Sequence, residues 1–218
     1  MVAAVVFEAV AIVALLVAID DAVAARGGKR SWPTHTVLIH EGDSSDSLYI
    51  MLAGRVKVFS SGENGREIVL SEHGPGEYFG ELSLDGDRRS VSIMTLEPTT
   101  CCIVQGADLR QLLAEQPDFA LHLTRKLIGM VRRLTEQVKS LALQDVYGRV
   151  VRLFNELAQP EGEVRVLRQR LTQQDIADRV GSSREMVNRV LKELLAGGYI
   201  VQRADKHFEL RKKLPAAW

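Results

Sequence analysis

The sequence from residue 118 to residue 143 reads DFALHLTRKLIGMVRRLTEQVKSLAL, and its apolar residues recur at heptad spacing. The first core position of the repeat holds Val131 and Val138, and the second holds Leu127, Leu134 and Leu141. β-Branched residues at the first position with leucine at the second favour a parallel two-stranded coiled coil. We therefore predict a dimerisation helix over residues 118–143 whose charged flanks face water, namely Arg125, Lys126, Arg132, Arg133, Glu136 and Lys139. The alternative is an amphipathic helix that lies on the core of its own domain.

This helix separates an acidic part of the chain from a basic part. Residues 1–143 carry 14 Lys and Arg against 18 Asp and Glu, whereas residues 144–218 carry 14 against 10. The overall composition is that of a soluble globular protein, and 218 residues suffice for two domains with cores of their own. A basic C-terminal part favours a nucleic-acid partner for that part.

The two cysteines, Cys101 and Cys102, are adjacent. Neighbouring side chains on a strand point to opposite faces, so these thiols are poorly placed to form a disulfide or to share a metal ion. We expect one buried and one exposed thiol, both reduced in the cytoplasm. The five histidines show no spacing typical of a metal site, and we find no nucleophile–base constellation. The sequence therefore predicts no metal ion and no enzyme.

The N-terminal segment from Val2 to Ile19 is apolar except for Glu8 and is nearly long enough to span a bilayer. Glu8 would lie well inside the hydrocarbon, and no basic residues precede the run as they do in a signal peptide. We predict buried helices that cover the next domain. A sensor tethered to the membrane by residues 2–19 is the alternative.

Residues 32–105 change from helical to strand periodicity. Short segments that read as strands cover residues 36–40, 47–52, 55–59, 66–70, 90–94 and 100–104, with turn residues such as Gly54 and Asn64-Gly65 between them. Many short strands with regular turns predict a barrel or jelly roll. Asp108 is predicted to cap a short helix that ends near Pro117.

Residues 79–90, which we call the cassette, interrupt this barrel with small residues, an acid and the pair Arg88-Arg89. Such a segment can present backbone N–H groups to an anion while an arginine supplies a charge-assisted fork. A solvated turn is the plain alternative. We expect Arg88 to point to solvent from the turn, because Arg89-Ser90 leads directly into the strand that contains Val91 and Ile93.

The cassette resembles the phosphate-binding cassette of cyclic-nucleotide-binding β-rolls. The resemblance extends over His40–Asp43, Leu52–Val56, Gly80–Ser83 and Arg89-Ser90. It implies that the glutamate meets the ribose 2′-hydroxyl, that the arginine and its neighbour hold the cyclic phosphate, and that nearby backbone N–H groups help. The implied ligand-binding residues of the cassette are Gly80, Glu81, Leu82, Ser83, Arg89 and Ser90. In cAMP-binding members the long helix also presents a pair of hydroxyl groups to the base, and in this sequence only Thr135 lies near that position. The alternative is a Glu81–Arg89 ion pair in an empty barrel.

After the long helix, residues 145–157 predict an amphipathic helix ended by residues 159–162, with a strand pair near Val164–Leu167. Thr172-Gln-Gln-Asp175 then has the form of a capping box. Gly181 permits a turn, and Ser182 or Ser183 is placed to cap a second helix.

The helix after such a turn enters the major groove with its N-terminus first. We predict DNA contacts from Thr172, Gln173, Ser183, Arg184, Glu185, Asn188, Arg189 and Lys212, with Arg211 and Lys213 as further phosphate contacts. An ion pair between Glu185 and Arg189 is the alternative role for those two side chains. Residues 199–203 and 207–211 predict a hairpin that completes a winged helix.

This order of parts resembles the CRP/FNR superfamily of transcription regulators. The Arg184-Glu185 and Arg189 pattern matches the base-reading residues of its cAMP-receptor branch. The cluster-binding branch is disfavoured by the missing cysteines, and no histidine can be assigned as a haem ligand. The predicted fold is α+β, with a β-roll or jelly roll at residues 1–117, a long dimerisation helix at 118–143 and a winged helix-turn-helix at 144–218.

The resemblance implies a cytoplasmic homodimer that binds an inverted repeat in double-stranded DNA, contacts RNA polymerase and is switched by a cyclic nucleotide, cAMP foremost. No membrane association is expected. The alternatives are a regulator whose β-roll is empty or holds a different effector, and the membrane-tethered sensor. A hydrolase of the cyclic diester would require metal ligands and a base that the sequence does not supply.

Overall fold

The computed structural model describes residues 28–62, 65–162 and 164–215. The predicted helices at residues 2–19 and the Asn64 half of the predicted Asn64-Gly65 turn lie outside these ranges. One compact unit comprises the described residues up to 60 together with 69–130. The other comprises the described residues of 61–68 and those from 131 onward.

The N-terminal strands form two antiparallel four-stranded sheets within the described part of the chain. The strands are β1 (Lys29–Trp32), β2 (Val37–Ile39), β3 (Leu48–Ala53), β4 (Val56–Ser61), β5 (Glu67–His73), β6 (Tyr78–Phe79), β7 (Ser92–Thr95) and β8 (Thr99–Val104). Their orders are β1-β8-β3-β6 and β2-β7-β4-β5. All six predicted segments contain a strand, and the predicted β-roll is confirmed. β1 and β6 were missed, because β1 is largely polar and β6 is only two residues long.

Strand β8 is covered on both faces, so the expectation of one exposed thiol is wrong. Cys101 packs inside the roll with Met51 and Ile93, whereas Cys102 packs under helical residues such as Leu109 and Phe119. Neither thiol forms a disulfide, and both are buried. Burial raises the pKa of Cys101 to about 12, so this thiol stays protonated at neutral pH.

Helix α1 (Gly106–Glu115) follows β8, and its N-cap is Gln105 rather than the predicted Asp108. Asp108 lies in the first turn of the helix instead. The carboxylate of Asp46 occupies the space that a side chain at Gly106 would need, so a negative charge from a distant loop already lies at this helix start. The contact with Asp46 cannot be predicted from the sequence around the helix start, because Asp46 is distant in the chain.

Helix α2 (Pro117–Leu143) runs unbroken for 27 residues, about 40 Å. It begins with proline at its first position, where the missing N–H costs nothing. Phe119 and Leu123 are buried and hold the first turns against the roll. Farther along lies the apolar heptad seam, formed by Leu127, Val131, Leu134, Val138 and Leu141. Its residues Val131, Leu134 and Val138 are 62%, 40% and 64% exposed in the single chain. The predicted helix is therefore confirmed, and the alternative of packing on its own core applies to its first turns.

The C-terminal unit is a winged helix-turn-helix, as predicted. Its elements are α3 (Val146–Leu157), β9 (Ala158–Glu161), β10 (Val164–Leu167), α4 (Gln173–Val180), α5 (Arg184–Ala196), β11 (Ile200–Gln202) and β12 (Phe208–Leu210). The strands form a sheet in the order β11-β12-β10-β9. Residues 159–161, predicted to end the preceding helix, belong to β9. Phe154, Ile176, Val187 and Leu194 lie at the centre of the core between the three helices.

None of the helices in the described part of the chain combines the length and the apolarity that a bilayer crossing requires. Helix α2 has the length, but it carries charged side chains along most of its course.

Candidate functional site

The cassette folds as a tight turn followed by a 3₁₀ helix, Glu81–Asp85, between β6 and β7. Gly80 precedes this helix with a φ of 94°, a left-handed conformation that favours glycine. A side chain at Gly80 would also collide with the carbonyl oxygen of Ser47 and with the guanidinium of Arg89. Glycine is therefore required at this position both by the backbone angle and by close approach.

Arg89 is 5% exposed, and its hydrogen bonds join residues 45–47 to Gly80. Its Nε donates to Ser45 Oγ at 2.8 Å, its Nη1 to the Gly80 carbonyl at 2.8 Å and its Nη2 to the Ser47 carbonyl at 2.7 Å. Burial lowers the pKa of Arg89 from its usual value, because desolvation disfavours the charged form. A buried positive charge is thus held in the cassette by acceptors that are mostly neutral.

The alternative of an ion pair between Glu81 and Arg89 is not what the structure contains. Glu81 pairs instead with Lys126 of α2, with 3.1 Å between Oε1 and Nζ, and the two side chains are 4% and 15% exposed respectively. Lys126 also donates to the carbonyl oxygen of Tyr78, and its ammonium lies 3.6 Å from the centroid of the Tyr78 ring. The expectation that Lys126 lies on a wet flank of the helix is therefore wrong.

Lys126 is the residue at this site that sequence reasoning missed. The heptad reading from residue 127 onward placed it on a flank. The earlier apolar residues Phe119 and Leu123 define a different inward face, and Lys126 follows Leu123 by three residues on that face. Reading a separate helical period from Phe119 and Leu123, rather than extending the heptad pattern, could have found it.

Of the other predicted ligand residues, one is buried in the cassette, two are exposed in the cassette and one is exposed on α2. Ser83 is buried, and its hydroxyl donates to the Gly80 carbonyl at 3.0 Å. Leu82 and Ser90 belong to the same segment but are exposed. Arg88 is exposed, as expected, and donates to the Gly42 carbonyl at 3.0 Å. Thr135 is exposed on α2, and its hydroxyl donates to the Val131 carbonyl at 2.9 Å.

The helix-turn-helix follows the sequence prediction closely. Thr172 Oγ1 accepts from the backbone N–H of Asp175 at 3.1 Å, and Asp175 Oδ2 accepts from the backbone N–H of Thr172 at 2.7 Å. Gly181 makes the turn with a φ of 61°. Ser183 is the cap of α5, and its Oγ accepts from the backbone N–H of Met186 at 3.2 Å.

Helix α5 presents Arg184, Glu185 and Arg189 to solvent. Within the described part of the chain, Glu185 forms no ion pair with Arg189, so that alternative role is not realised. Hydrogen bonding from its own backbone N–H lowers the pKa of Glu185, and the Ser183 hydroxyl and Arg184 act in the same direction. Glu185 therefore remains an ionised hydrogen-bond acceptor at neutral pH.

Gln173 of α4 reaches across the turn to α5. Its Nε2 donates to Asn188 Oδ1 at 3.0 Å, and its Oε1 accepts from Arg184 Nε at 3.5 Å. Gln173 therefore links Asn188 to Arg184, and all three side chains are predicted to contact DNA.

The predicted phosphate contacts of the wing differ in their surroundings. Lys212 is exposed; its Nζ donates to the Gly197 carbonyl at 3.3 Å and lies 5.6 Å from the centroid of the Tyr199 ring. Arg211 is ion-paired with Glu209, which also accepts from Arg203 at 2.8 Å.

Titratable side chains do not converge on a metal site anywhere in residues 28–62, 65–162 or 164–215. The charged side chains at the cassette that are buried or largely buried are Glu81, Arg89 and Lys126, two cations for one anion, whereas Asp85, Asp87 and Arg88 are exposed. This balance suits an anionic ligand.

Comparison with known proteins recognises both halves of the chain. Residues 29–116 match the cyclic nucleotide-binding domain, and residues 148–213 match the Crp-like helix-turn-helix domain. The cAMP-activated global transcriptional regulator CRP of Pasteurella multocida is 34% identical over 172 residues, which cover 75% of this chain and 80% of that protein. The CRP-like cAMP-activated global transcriptional regulator of Mycobacterium tuberculosis is 36% identical over 171 residues, 76% of each chain.

The fold matches a solved structure of the same kind. The c-di-GMP-responsive global regulator CLP of Xanthomonas campestris superposes with a TM-score of 0.78 at 30% identity, over 86% of this chain and 95% of that one. These relatives are transcription regulators and not enzymes, in agreement with the prediction. With a cyclic nucleotide-binding domain followed by a Crp-like helix-turn-helix, the chain belongs to the CRP/FNR family of transcription regulators.

Proposed function

We propose that this protein is a cytoplasmic homodimer that binds an inverted repeat in double-stranded DNA when a cyclic nucleotide, cAMP foremost, occupies the cassette. In this proposal residues 1–117 sense the effector, residues 118–143 pair the two copies and residues 144–218 bind DNA. The observation that carries the effector assignment is the buried guanidinium of Arg89 within the cassette.

Arg89 suits a cyclic phosphate because part of its fork is uncommitted. A guanidinium has five N–H donors, and three of those on Arg89 are used by Ser45, Ser47 and Gly80. The remaining two lie on different terminal nitrogens, an arrangement that matches two phosphate oxygens. Ser90 and the backbone N–H groups near Leu82 and Ser83 are proposed as further donors, and Glu81 as the acceptor for the ribose hydroxyl.

The names of the relatives support cAMP and also supply a second candidate. The Pasteurella and Mycobacterium proteins are cAMP-activated, whereas the Xanthomonas protein responds to c-di-GMP. α2 offers the hydroxyl of Thr135 to a base, and that hydroxyl already donates to the Val131 carbonyl. Helix α2 therefore offers few groups that could distinguish one base from another, and the test includes c-di-GMP.

Pairing of two copies through α2 rests on the exposed seam. Val131, Leu134 and Val138 remain exposed in the single chain although they are apolar. Their heptad spacing is that of a two-stranded coiled coil, in which each would pack against the partner helix.

DNA recognition is proposed to follow from the face that α5 exposes. Arg184 or Arg189 would form a bidentate contact with guanine O6 and N7, and Glu185 would accept from cytosine N4. By family resemblance, two TGTGA-like half-sites would lie about one helical turn apart, centre to centre. The side chains of Thr172, Gln173, Ser183, Asn188 and Lys212 are proposed to fix the helix against phosphates and base edges. RNA polymerase is the proposed protein partner.

The test combines calorimetry with DNA titration. Purified protein is titrated with cAMP, cGMP and c-di-GMP, and its affinity for an inverted repeat of TGTGA-like half-sites is measured with and without each nucleotide. We expect cAMP to bind and to increase DNA affinity. If none of the three nucleotides changes DNA affinity, the effector assignment fails. If the protein does not prefer the repeat over a scrambled duplex, the proposed half-site fails.

A further inference from the structure

We propose that Lys126 is a positioning residue of the effector site: its ammonium holds the Glu81 carboxylate in place for the ribose 2′-hydroxyl, so α2 takes part in recognising ribose. This inference rests on the proposed effector function and deepens it. Neither the family resemblance nor the heptad pattern assigned a role to Lys126.

The first support is burial. The Glu81 side chain is 4% exposed, and an ionised carboxylate taken out of water requires a charged or hydrogen-bonding partner. Arg89 does not supply one, because its hydrogen bonds go to Ser45, Ser47 and Gly80. Lys126 supplies it at 3.1 Å.

The second support is the fixed position of the ammonium itself. Besides Glu81, Lys126 contacts the carbonyl oxygen and the ring face of Tyr78, which lies immediately before Phe79 and the cassette. A cation on an aromatic face with a carbonyl acceptor and a carboxylate has little freedom to move. The Lys126 side chain is itself largely buried. Lys126 therefore anchors the carboxylate rather than pairing with it loosely.

The third support is the geometry of a carboxylate. Oε1 of Glu81 faces Lys126, and Oε2 is a second acceptor on the same group. A hydroxyl donates more strongly to an ionised carboxylate than to a neutral acceptor. When the hydroxyl is missing, a buried acceptor is left unpaired, and such sites discriminate strongly against ligands that lack the group. Lys126 would therefore contribute to selectivity for ribose over 2′-deoxyribose.

The experiment measures that selectivity. Calorimetry gives the affinities of cAMP and 2′-deoxy-cAMP for the wild type, Lys126→Met, Lys126→Arg, Glu81→Gln and the double variant Glu81→Gln with Lys126→Met. We expect the wild type to prefer cAMP by on the order of tenfold to a hundredfold. Lys126→Met and Glu81→Gln should each reduce this ratio, the double variant should reduce it no further, and Lys126→Arg should restore most of it.

The matched control is Lys139→Met. Lys139 lies on the same helix and pairs with Glu136 on the surface at 2.8 Å. Its removal should leave the ratio of the two affinities unchanged. The double variant leaves no unpaired buried charge, so it remains usable if Lys126→Met alone does not fold.

Two results would overturn the inference. In the first, Lys126→Met weakens both nucleotides by the same factor, so that Lys126 stabilises the fold without positioning Glu81. In the second, the double variant loses more selectivity than Glu81→Gln alone. A measurement without ligand separates this inference from the effector proposal: amide hydrogen exchange in residues 79–90 should be faster in Lys126→Met than in the wild type. Unchanged exchange would refute the anchoring, whereas faster exchange in a protein that binds neither nucleotide would refute the effector instead.

Discussion

The cassette and helix α5 each combine arginine with glutamate, but in opposite surroundings. In the cassette Arg89 and Glu81 are buried, and each is held by named partners. On α5 Arg184 and Glu185 are exposed in the first turn of the helix. A buried charge is costly unless its partners are in place, whereas an exposed charge costs the fold little and stays accessible.

This difference suits two kinds of recognition. A small ligand enclosed by a roll can be selected by groups that were desolvated and oriented during folding. A DNA groove is read by side chains that stay hydrated until they meet base edges. Substitutions in the cassette should therefore affect both folding and binding, and substitutions on α5 should affect DNA binding alone.

The largest expected effect is the loss of the dimer, which should separate effector binding by the cassette from DNA binding by α5. Leu134→Arg places like charges face to face in the seam and should abolish the dimer. The variant should still bind the effector, because Glu81, Lys126 and Arg89 belong to one chain, but should lose high-affinity binding to the inverted repeat. Light scattering measures the mass, and DNA titration measures the loss. A variant that kept the dimer mass would show that α2 is not the interface.

The next effect concerns the buried arginine. Arg89→Leu removes three hydrogen bonds from the cassette and the proposed partner of the phosphate, and we expect a loss of roughly 3–5 kcal/mol in effector affinity. Thermal unfolding should also shift to lower temperature. The control is Arg88→Leu, which removes an exposed guanidinium bonded to the Gly42 carbonyl and should change both quantities little. Effector binding that survives Arg89→Leu but fails in Arg88→Leu would reverse the assignment.

The same contrast explains what the sequence could predict. The helix-turn-helix is encoded over short distances: Thr172 and Asp175 cap each other, Gly181 turns, and Ser183 caps three residues before Met186. Such patterns are legible in a single sequence. The caps, the turn, the exposed face of α5 and the wing were all predicted with little error.

The cassette is closed by distant residues instead. Arg89 is bonded by backbone carbonyls at Gly80 and Ser47, and a carbonyl carries no signature in the sequence. Glu81 meets Lys126 from a helix that begins far along the chain. Resemblance to a family identified the residues of the cassette but not their partners. The buried Cys102 and the displaced cap at Asp108 have the same cause, since tertiary neighbours decided both.

On α5 the expected effects are smaller and confined to DNA binding. Glu185→Ala should relax sequence preference at one base pair of each half-site, at a cost of roughly 1–3 kcal/mol for the preferred base. Stability should change little, because Glu185 is exposed. The control is Glu193→Ala, an exposed glutamate farther along the same helix. Selection from randomised duplexes measures the preference, and recovery of an identical motif from wild type and Glu185→Ala would remove Glu185 from base reading.

The smallest effect is expected from the wing. Lys212 is exposed, and its ammonium lies beside the Gly197 carbonyl and the Tyr199 ring. We propose that it contacts a phosphate rather than a base. A phosphate contact contributes through counterion release and carries no sequence information. Lys212→Ala should therefore weaken specific and scrambled duplexes by the same factor and reduce the salt dependence of log K by about one.

The control for Lys212→Ala is Lys29→Ala, an exposed lysine on β1 of the roll, which should leave the salt dependence unchanged. Titrations over a series of salt concentrations give both slopes. If Lys212→Ala altered the ratio of specific to scrambled affinity while the slope stayed constant, Lys212 would have to contact a base edge. The proposed difference between side chains that read bases and side chains that bind phosphate would then not hold for Lys212.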